Sequence, residues 1–456
     1  MPNFGKEEMA NLAKVIESGV MCDTRGGFMD EFRSQFAKAL DSKHAIAGAT
    51  AMLLMHAIPG AIGAGAGDEI ICDPVVQFHG IACLHNNIVP VWADIRPDNF
   101  LMDADKVEAL ITKRTKAIWV THLWGFAAEV DKLRAICDKH GIYLLEDCAH
   151  ALLSEYKGKK IGTWGHVGTF SFNMGKQLPT GEGGMAIVND DKIYFELNRR
   201  IIFSESPEVL SSNYRMTELQ AAVGVAQLAK VPGYLAEYRE GKKVLDEAIG
   251  GCDWLNKREN HPDNLVSPYL WSCLFHGEGK GVELPVFKAA LKQAGAPFGV
   301  GFTMVPAYKY NFFKIPNAYG NKGCPYNCHL YDGKVDWRDG LCPVAEDTIP
   351  RIVYFNNMKP LDTVKAGAEI LKKAIELAVG GNVKPLEYTD LDMRILNLVR
   401  DMGPLEPSEV IGVFDANKWE HFDEQAMIIM MSDLRDRFPY KLARSGPRKF
   451  SYHDLS

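Results

Sequence analysis

The chain has 456 residues, of which 47% are hydrophobic and 24% charged, and its 51 basic and 58 acidic side chains give a formal net charge of −7. This composition is typical of a soluble globular protein with about two or three domains, and it excludes a disordered or collagen-like chain. The negative charge gives no general attraction to nucleic acid or anionic membranes. No apolar run reaches the roughly 18 residues that a membrane-spanning helix needs.

The ten cysteines are scattered along the chain, and the first residues carry acids without an apolar signal segment. Scattered cysteines in a long chain of this kind are typical of reduced thiols, so we expect a cytoplasmic protein. A zinc site formed by Cys324, Cys328, His329 and Cys342 is an alternative. The Cys-x3-Cys spacing and the adjoining histidine match structural zinc sites poorly, and we predict no metal.

The predicted elements begin with two amphipathic helices, over residues 6–19 and 30–40, followed by a strand at 45–47 and a helix from Thr50. Short apolar runs then alternate with helical stretches. The runs are 69–72, 89–93, 117–120, 142–145, 169–172 and 185–188. Continuous apolar strands separated by helices predict a parallel sheet covered on both faces.

The second half of the chain begins with a long helix over residues 217–249, which Pro232 should kink or divide. We predict a large domain over 1–250, a smaller α+β domain over 251–381 and an appended domain over 386–456. A helix, a methionine-rich amphipathic helix and a basic hairpin-like tail give the appended domain a winged-helix-like pattern.

Two residues with complementary chemistry follow predicted strands in the middle of the chain. Asp147 comes directly after a buried strand, and Lys176 stands beside another strand end in a glycine-rich loop. Ligands of open α/β sheets collect at the carboxyl ends of strands. An aspartate that pairs with a pyridinium nitrogen and a lysine that forms an imine are what pyridoxal phosphate (PLP) chemistry requires. Taken alone, an aspartate at a strand end is often only a helix cap, and a lysine near glycines is usually a solvated loop residue. The order and context of the two residues favour PLP.

Four spaced motifs connect this stretch with a family: Glu146-Asp-Cys-Ala-His, Ser171-Phe-Asn-Met-Gly-Lys, Gly181-Glu-Gly-Gly and Asn213-Tyr-Arg-Met-Thr-Glu. Over about residues 6–379 the chain resembles the DegT/DnrJ/EryC1/StrS aminotransferases. The resemblance implies an α/β fold of the aspartate-aminotransferase type (PLP fold type I), with a mostly parallel sheet in the large domain and a smaller α+β C-terminal domain. It also implies transfer of an amino group from glutamate or glutamine to a keto-sugar or keto-cyclitol.

The resemblance assigns catalytic roles to three residues. Lys176 would be the Schiff-base lysine and proton shuttle, and its presence argues against the deoxygenating branch of the family, which has histidine there. Asp147 would pair with the pyridine nitrogen, and His150 would lie near the ring hydroxyl. The alternative for His150 is an ordinary buried histidine.

Five further residues match positions that bind the cofactor. Thr50 and Ala51 open a helix whose N-terminus would hold the phosphate together with Ser171. Phe78 would stack on the pyridine ring. Asn213 would reach the phosphate of the neighbouring subunit, which implies a homodimer with shared active sites. Each of these residues also has an ordinary structural alternative. Thr50 would be a plain helix cap, Phe78 a core residue, Ser171 a strand residue and Asn213 a turn residue.

The motifs that distinguish substrates are weaker than those of the cofactor site. Tyr308 stands roughly where the nucleotide-sugar branch has a histidine, whereas Thr121-His-Leu-Trp-Gly, Gly175 and Cys342-Pro-Val-Ala-Glu look more like enzymes that aminate scyllo-inosose or like aminohydroxybenzoate synthases. We predict a non-nucleotide cyclic ketone, with a nucleotide-keto-sugar as the alternative. Arg215 is a candidate for the donor carboxylate or for the dimer interface. A rival of another class is a regulator or docking protein that uses the appended domain.

Overall fold

The computed structural model describes residues 4–22, 27–203, 206–303, 305–316, 320, 322–381 and 383, and beyond these only 395, 431, 442–444 and 450–452. The described helices are α1 (Lys6–Ser18), α2 (Phe28–Ala39), α3 (Ala51–Ala61), α4 (Phe78–His85), α5 (Ala104–Val107), α6 (Val130–His140), α7 (Asp191–Ile201), α8 (Glu218–Ala248), α9 (Leu284–Ala294), α10 (Asn311–Lys314), α11 (Pro343–Thr348) and α12 (Leu361–Val379). Within this part of the chain, no helix is long and apolar enough to span a membrane.

The described strands are β1 (His44–Gly48), β2 (Glu69–Cys72), β3 (Val89–Trp92), β4 (Thr115–Thr121), β5 (Tyr143–Asp147), β6 (Glu155–Tyr156), β7 (Lys159–Lys160), β8 (Val167–Ser171), β9 (Gly184–Val188), β10 (Leu255–Lys257), β11 (Trp271–Phe275), β12 (Gly299–Val300), β13 (Ile352–Phe355), β14 (Leu442–Arg444) and β15 (Phe450–Tyr452). Apart from the antiparallel pair β14–β15 and two isolated residues, the predicted winged-helix-like domain at 386–456 lies outside the described residues.

A seven-stranded sheet in the order β1-β9-β8-β5-β4-β2-β3 forms the centre of the fold. The strands from β8 to β3 pair in parallel, and β9 runs antiparallel to both of its neighbours. Strands β2, β5 and β9 are buried almost throughout, because helices cover both faces of such a sheet. The predicted parallel α/β architecture is confirmed.

The start of the long helix α8 is fixed by its first residues. Thr217 and Gln220 form a reciprocal capping box, which satisfies two of the free N–H groups at the helix start. Glu218 accepts hydrogen bonds from the first two N–H groups of α2, at 2.9 and 3.0 Å, and so ties the two helices together. Helix α8, with α1 and α2 packed against it, continues as one element through Pro232. The predicted division of this helix is wrong, and the alternative, a kink at Pro232, stays a prediction.

A second, four-stranded antiparallel sheet has the order β10-β11-β13-β12. Both sheets belong to one compact unit, residues 1–276 with 297–369. A second unit comprises residues 277–296 and 370–456. The predicted domain boundaries, 1–250, 251–381 and 386–456, stay a prediction.

Candidate active site

Three neighbouring parallel strands of the large sheet end side by side with polar residues. Asp147 is the last residue of β5, Thr121 is the last residue of β4 and its register partner, and Asp73 directly follows β2. The Asp73 carboxylate accepts the Thr121 backbone N–H at 2.9 Å. Since the carboxyl ends of parallel strands share one edge, this edge collects the acids, as expected for the ligand-binding side of an α/β sheet.

Asp147 is a buried carboxyl group with few partners. Its Oδ1 accepts the Ala149 N–H at 3.0 Å. Burial raises the pKa of Asp147, and the hydrogen bond from the Ala149 N–H and the charge of Lys176 act in the opposite direction. A carboxyl group in this state gains a counter-charge when a cationic ring nitrogen binds beside it, which fits the role predicted from the resemblance.

Lys176 lies in the connection between β8 and β9, where its backbone N–H donates to the Asn173 carbonyl at 2.9 Å. Burial lowers the pKa of its amine to about 8, and the charge of Asp147 partly offsets this effect. The two groups therefore lie within electrostatic reach of each other. The structure brings the predicted lysine and aspartate into one site.

The lowered pKa of Lys176 predicts how PLP uptake depends on pH. Only the neutral amine can attack the aldehyde, so the rate of PLP attachment to the apoprotein should rise about tenfold per pH unit up to a midpoint near pH 8 and then level off. Stopped-flow absorbance measures this rate. Because the Asp147 charge raises the lysine pKa, the Asp147→Asn variant should move the midpoint downward. A midpoint near 10.5, the value of an ordinary lysine, would contradict the described environment.

His150 and Tyr269 form the wall beside Lys176. Their rings stack with centroids 4.6 Å apart and an interplanar angle of 7°, and the Lys176 Nζ lies 4.7 Å from the centroid of the Tyr269 ring. Burial, aided by the charges of Lys176 and Arg258, holds the pKa of His150 well below its usual range, so the imidazole is neutral at pH 7. Its buried Nδ1 has no hydrogen-bond partner in the described structure, which leaves a polar atom for a ligand to satisfy. Sequence reasoning missed Tyr269, which no motif marks.

The predicted phosphate end of the site lies where β1 and β8 end and the antiparallel strand β9 begins. Gly184 of β9 pairs with Gly48 on one side and with Ser171 on the other. Thr50 caps α3, its hydroxyl accepting the Leu53 N–H at 3.1 Å. A Cβ at Gly184 would lie 2.5 Å from the backbone nitrogen of Ala51. Only glycine allows this approach, and the strand ends and the helix N-terminus meet there as an anion site requires.

Phe78 begins α4 and is 38% exposed. A planar ring lying against it would cover this apolar surface. Four features together show that the residues present fit a cofactor of PLP type. They are the exposed ring of Phe78, the His150 Nδ1 without a hydrogen-bond partner, the close approach of Gly184 to Ala51 and the buried carboxyl group of Asp147.

Two predicted residues flank Tyr214, whose backbone carbonyl accepts the Ala49 N–H at 2.8 Å, next to Thr50. Asn213 is exposed and accepts a hydrogen bond from the Arg215 Nε at 3.0 Å. Arg215 lines a polar cavity of about 870 Å³ between α2, β1 and α7, and none of the residues around Lys176 contributes to its lining. The donor-carboxylate role of Arg215 and the contact of Asn213 with a neighbouring subunit stay predictions.

Tyr308 is fully buried beside Trp92, with ring centroids 6.2 Å apart. Its hydroxyl donates to Glu346 and accepts the Cys342 backbone N–H at 3.2 Å. The hydroxyl is thus engaged inside the core, and the predicted contact of Tyr308 with substrate stays a prediction.

Glu146, next to Asp147, is fully buried and has a structural role. Its carboxylate accepts hydrogen bonds from the His122 Nε2 at 3.0 Å and from the backbone of Gly162 and Gly165 at 2.9 and 2.5 Å. His122 Nδ1 accepts the Ala128 N–H at 3.2 Å, so the ring hydrogen is on Nε2 and neither nitrogen is open to a metal.

Within the described part of the chain, the one cluster of three possible metal ligands is His122, Glu146 and Cys148. The alternative zinc ligands Cys324, Cys328, His329 and Cys342 do not belong to it. Instead, the Cys342 Sγ lies 3.9 Å from the Trp92 carbonyl, and the Cys328 Sγ accepts from the Asn87 amide at 3.8 Å.

Comparison with known proteins adds a family and several relatives. The model of the DegT/DnrJ/EryC1/StrS aminotransferase family matches residues 2–335. A GDP-perosamine synthase of Vibrio cholerae is 31% identical over 342 residues, 71% of this chain and 91% of its own length. An L-glutamine:2-deoxy-scyllo-inosose aminotransferase of Streptomyces kanamyceticus is 33% identical over 323 residues, 65% of this chain and 74% of its own length.

Solved structures share the fold. The chain superposes on 3-amino-5-hydroxybenzoic acid synthase with a TM-score of 0.71 at 24% identity, covering 82% of this chain and 97% of the other. DesI, solved in the presence of its TDP-sugar product, gives a TM-score of 0.70 at 22% identity, covering 84% of this chain and 93% of the other. At these identities the likeness shows the fold alone, which is that of the aminotransferases, as predicted.

Proposed function

Since the chain belongs to the DegT/DnrJ/EryC1/StrS aminotransferase family and is a PLP-dependent aminotransferase, we propose that it transfers the amino group of glutamate or glutamine to a cyclic keto-sugar or keto-cyclitol. The observation that carries this proposal is that Lys176 and Asp147 lie in one buried site, where the charge of each affects the pKa of the other. An amine and an acid with these perturbations, at the ligand edge of the sheet, are what the reaction requires.

Bound PLP supplies an electron sink that acidifies the Cα–H of an amino acid. In our proposal Asp147 keeps the ring nitrogen protonated, and Phe78 covers one face of the ring. The α3 N-terminus, with Thr50 and Ala51, holds the phosphate by its N–H groups together with the Ser171 hydroxyl. His150 offers Nδ1 to a ring substituent.

Lys176 would hold the cofactor covalently and then move the proton. A lysine with a pKa of about 8 has a substantial neutral fraction at physiological pH, so it can accept a proton from a carbon acid and return it to a neighbouring carbon. The same amine at 10.5 would be almost entirely charged. Burial of the Lys176 side chain therefore keeps part of the amine in the neutral form that can accept a proton.

For the acceptor we propose a ketone without a nucleotide. Relatives of both kinds exist at similar identity, a scyllo-inosose aminotransferase at 33% and a GDP-perosamine synthase at 31%. The observation that favours the smaller ketone is Tyr308, which is buried with its hydroxyl engaged by Glu346. This position therefore presents no exposed group to a diphosphate.

The test begins with purified protein and PLP. Borohydride reduction should fix PLP on Lys176, located by mass spectrometry. Glutamine or glutamate should then change the visible spectrum of the bound cofactor, and addition of scyllo-inosose or 2-deoxy-scyllo-inosose should reverse the change. Reversal by a nucleotide-linked keto-sugar alone would replace our acceptor with the second candidate, and no spectral change with any donor would overturn the transaminase proposal.

We further propose a homodimer in the cytoplasm whose two sites each take Asn213 from the neighbouring subunit. Asn213 lies on the exposed surface, which supports this arrangement. Docking or regulation through residues 386–456, most of which lie outside the described structure, is the rival of another class. Salt-sensitive DNA binding that disappears when this segment is deleted would favour the rival.

Mixing two inactive variants tests the shared site. Lys176→Ala and Asn213→Ala homodimers should each be weak at limiting PLP. After subunit exchange about half of the dimers are hybrids, and each hybrid has one intact site of two, so activity should recover to roughly one quarter of wild type. If Asn213 serves its own subunit, hybrids contain no intact site and nothing is recovered.

A further inference from the structure

At the start of α4 the usual order of burial is reversed. The apolar Phe78 is 38% exposed, whereas the next residue, His79, is 0% exposed. Burying an imidazole is costly unless its nitrogens find hydrogen-bond partners. No catalytic or binding role described above uses His79, so its partners indicate what it does.

Both nitrogens of His79 are engaged. Nδ1 accepts the Gly80 backbone N–H at 3.1 Å, and the ring hydrogen is therefore on Nε2, which lies 3.1 Å from the Thr121 hydroxyl and 3.4 Å from the Asp73 carboxylate. The Gly80 N–H is one of the free donors in the first turn of α4, where the N-cap residue Gln77 provides no side-chain hydrogen bond. The ring thus caps the helix and joins it to two strand ends.

Asp73 completes the connection. Its Oδ2 accepts the Thr121 N–H at 2.9 Å, and its Oδ1 accepts the Val75 N–H at 3.3 Å in the segment that leads to α4. Thr121 is the register partner of Asp147, and the next N–H along the chain, that of His122, donates to the Asp147 carbonyl at 3.0 Å. One continuous set of hydrogen bonds therefore links the backbone that carries Phe78 to the backbone that carries Asp147.

The first turn of α4 is also closely packed at Gly80. A Cβ at Gly80 would meet the rings of Phe313 and Trp92 at 2.7 Å. The Asp73 carboxylate also acts on the site, because its charge raises the pKa of Asp147. Asp73 and His79 thus lie next to Phe78 and Asp147, the two residues expected to contact the cofactor ring.

We propose that Asp73 and His79 are positioning residues of the cofactor site, which fix the first turn of α4 to the ends of β2 and β4 so that Phe78 and Asp147 are held in one geometry for the PLP ring. This inference rests on the proposed function. Neither residue touches the cofactor in this account, and both act through their neighbours. The ligand whose binding they control is a planar pyridinium ring.

His79→Phe is the primary test, because it keeps a planar ring of similar size and removes both hydrogen bonds. PLP affinity of the apoprotein, measured by absorbance titration, should fall about tenfold, since the hydrogen bonds to Gly80 and Thr121 and the contact with the Asp73 carboxylate are lost. The visible circular dichroism of bound PLP, which reports how the ring is held, should weaken. His79→Gln should restore most of both signals, because its amide nitrogen can occupy the place of Nε2 and donate to Asp73.

His85→Phe is the matched control, since it makes the same substitution at the exposed end of the same helix. It should leave PLP affinity and circular dichroism unchanged. A folded His79→Phe variant with wild-type affinity and circular dichroism would overturn the inference. If His79→Phe does not fold, Thr121→Val decides: it removes only the hydroxyl partner and should weaken PLP affinity severalfold, and wild-type affinity would again overturn the inference. Wild-type protein that takes up no PLP would instead refute the proposed function.

Discussion

The Lys176→Ala variant is expected to bind no PLP covalently and to lose turnover by at least about 10³-fold, because the same amine both anchors the cofactor and moves the proton. The measurements are borohydride trapping with mass spectrometry and the steady-state rate with donor and ketone. A small primary amine added to the solution should restore part of the rate, since it can replace the missing base.

The matched control is Lys192→Ala, at an exposed position in the first turn of α7. It should retain covalent PLP and wild-type turnover within about twofold, as expected for a surface substitution. Covalent PLP on another lysine together with undiminished turnover in Lys176→Ala would remove the central residue of the proposal.

The Asp147→Asn variant should still attach PLP to Lys176 but lose at least about 100-fold in kcat. Asparagine keeps the shape of the side chain but has no charge with which to hold the ring nitrogen protonated, and the ring is a weaker electron sink when that nitrogen is neutral. Steady-state kinetics together with the absorbance of bound cofactor separate loss of chemistry from loss of binding.

A cofactor analogue methylated on the ring nitrogen sharpens this test. Its ring is permanently cationic, so it should raise the activity of Asp147→Asn above that seen with PLP. The control Asp138→Asn removes an exposed carboxylate that pairs with Arg134 and should leave kcat unchanged within about twofold. Wild-type kcat in Asp147→Asn would show that the ring nitrogen needs no acid there.

The sequence predicted the parallel sheet because its strands are continuous apolar runs, and such runs carry their own signal. The position of Asp147 at a strand end could be read in the same way. The order β1-β9-β8-β5-β4-β2-β3 could not, since it depends on which strand ends pair through space. Whether Pro232 would kink α8 or divide it could not be read from the sequence, because the packing of neighbouring helices decides between the two.

The site shows the same division between local and spatial information. Lys176 and Asp147 were found through motifs, and the structure brings them together. Tyr269 was missed, because a tyrosine before an ordinary strand is marked by nothing except the lysine and histidine that fold against it. His79 was missed because a histidine one position after an aromatic match has no pattern of its own until its partners from two other strands are known.

The two acids at the end of β5 divide two tasks by the pleat of a single strand. Glu146 turns toward the glycine turns of the scaffold and Asp147 toward the lysine, because consecutive side chains of a strand point to opposite faces. Inserting one residue upstream in this strand would move Glu146 to the place of Asp147 and Leu145 to the place of Glu146, so the reaction would receive a longer carboxylate and the glycine turns would lose their acceptor. Single-residue insertions at positions 143–145 should therefore lower both the yield of folded protein and the visible absorbance of bound PLP. Insertions in surface loops should leave both unchanged.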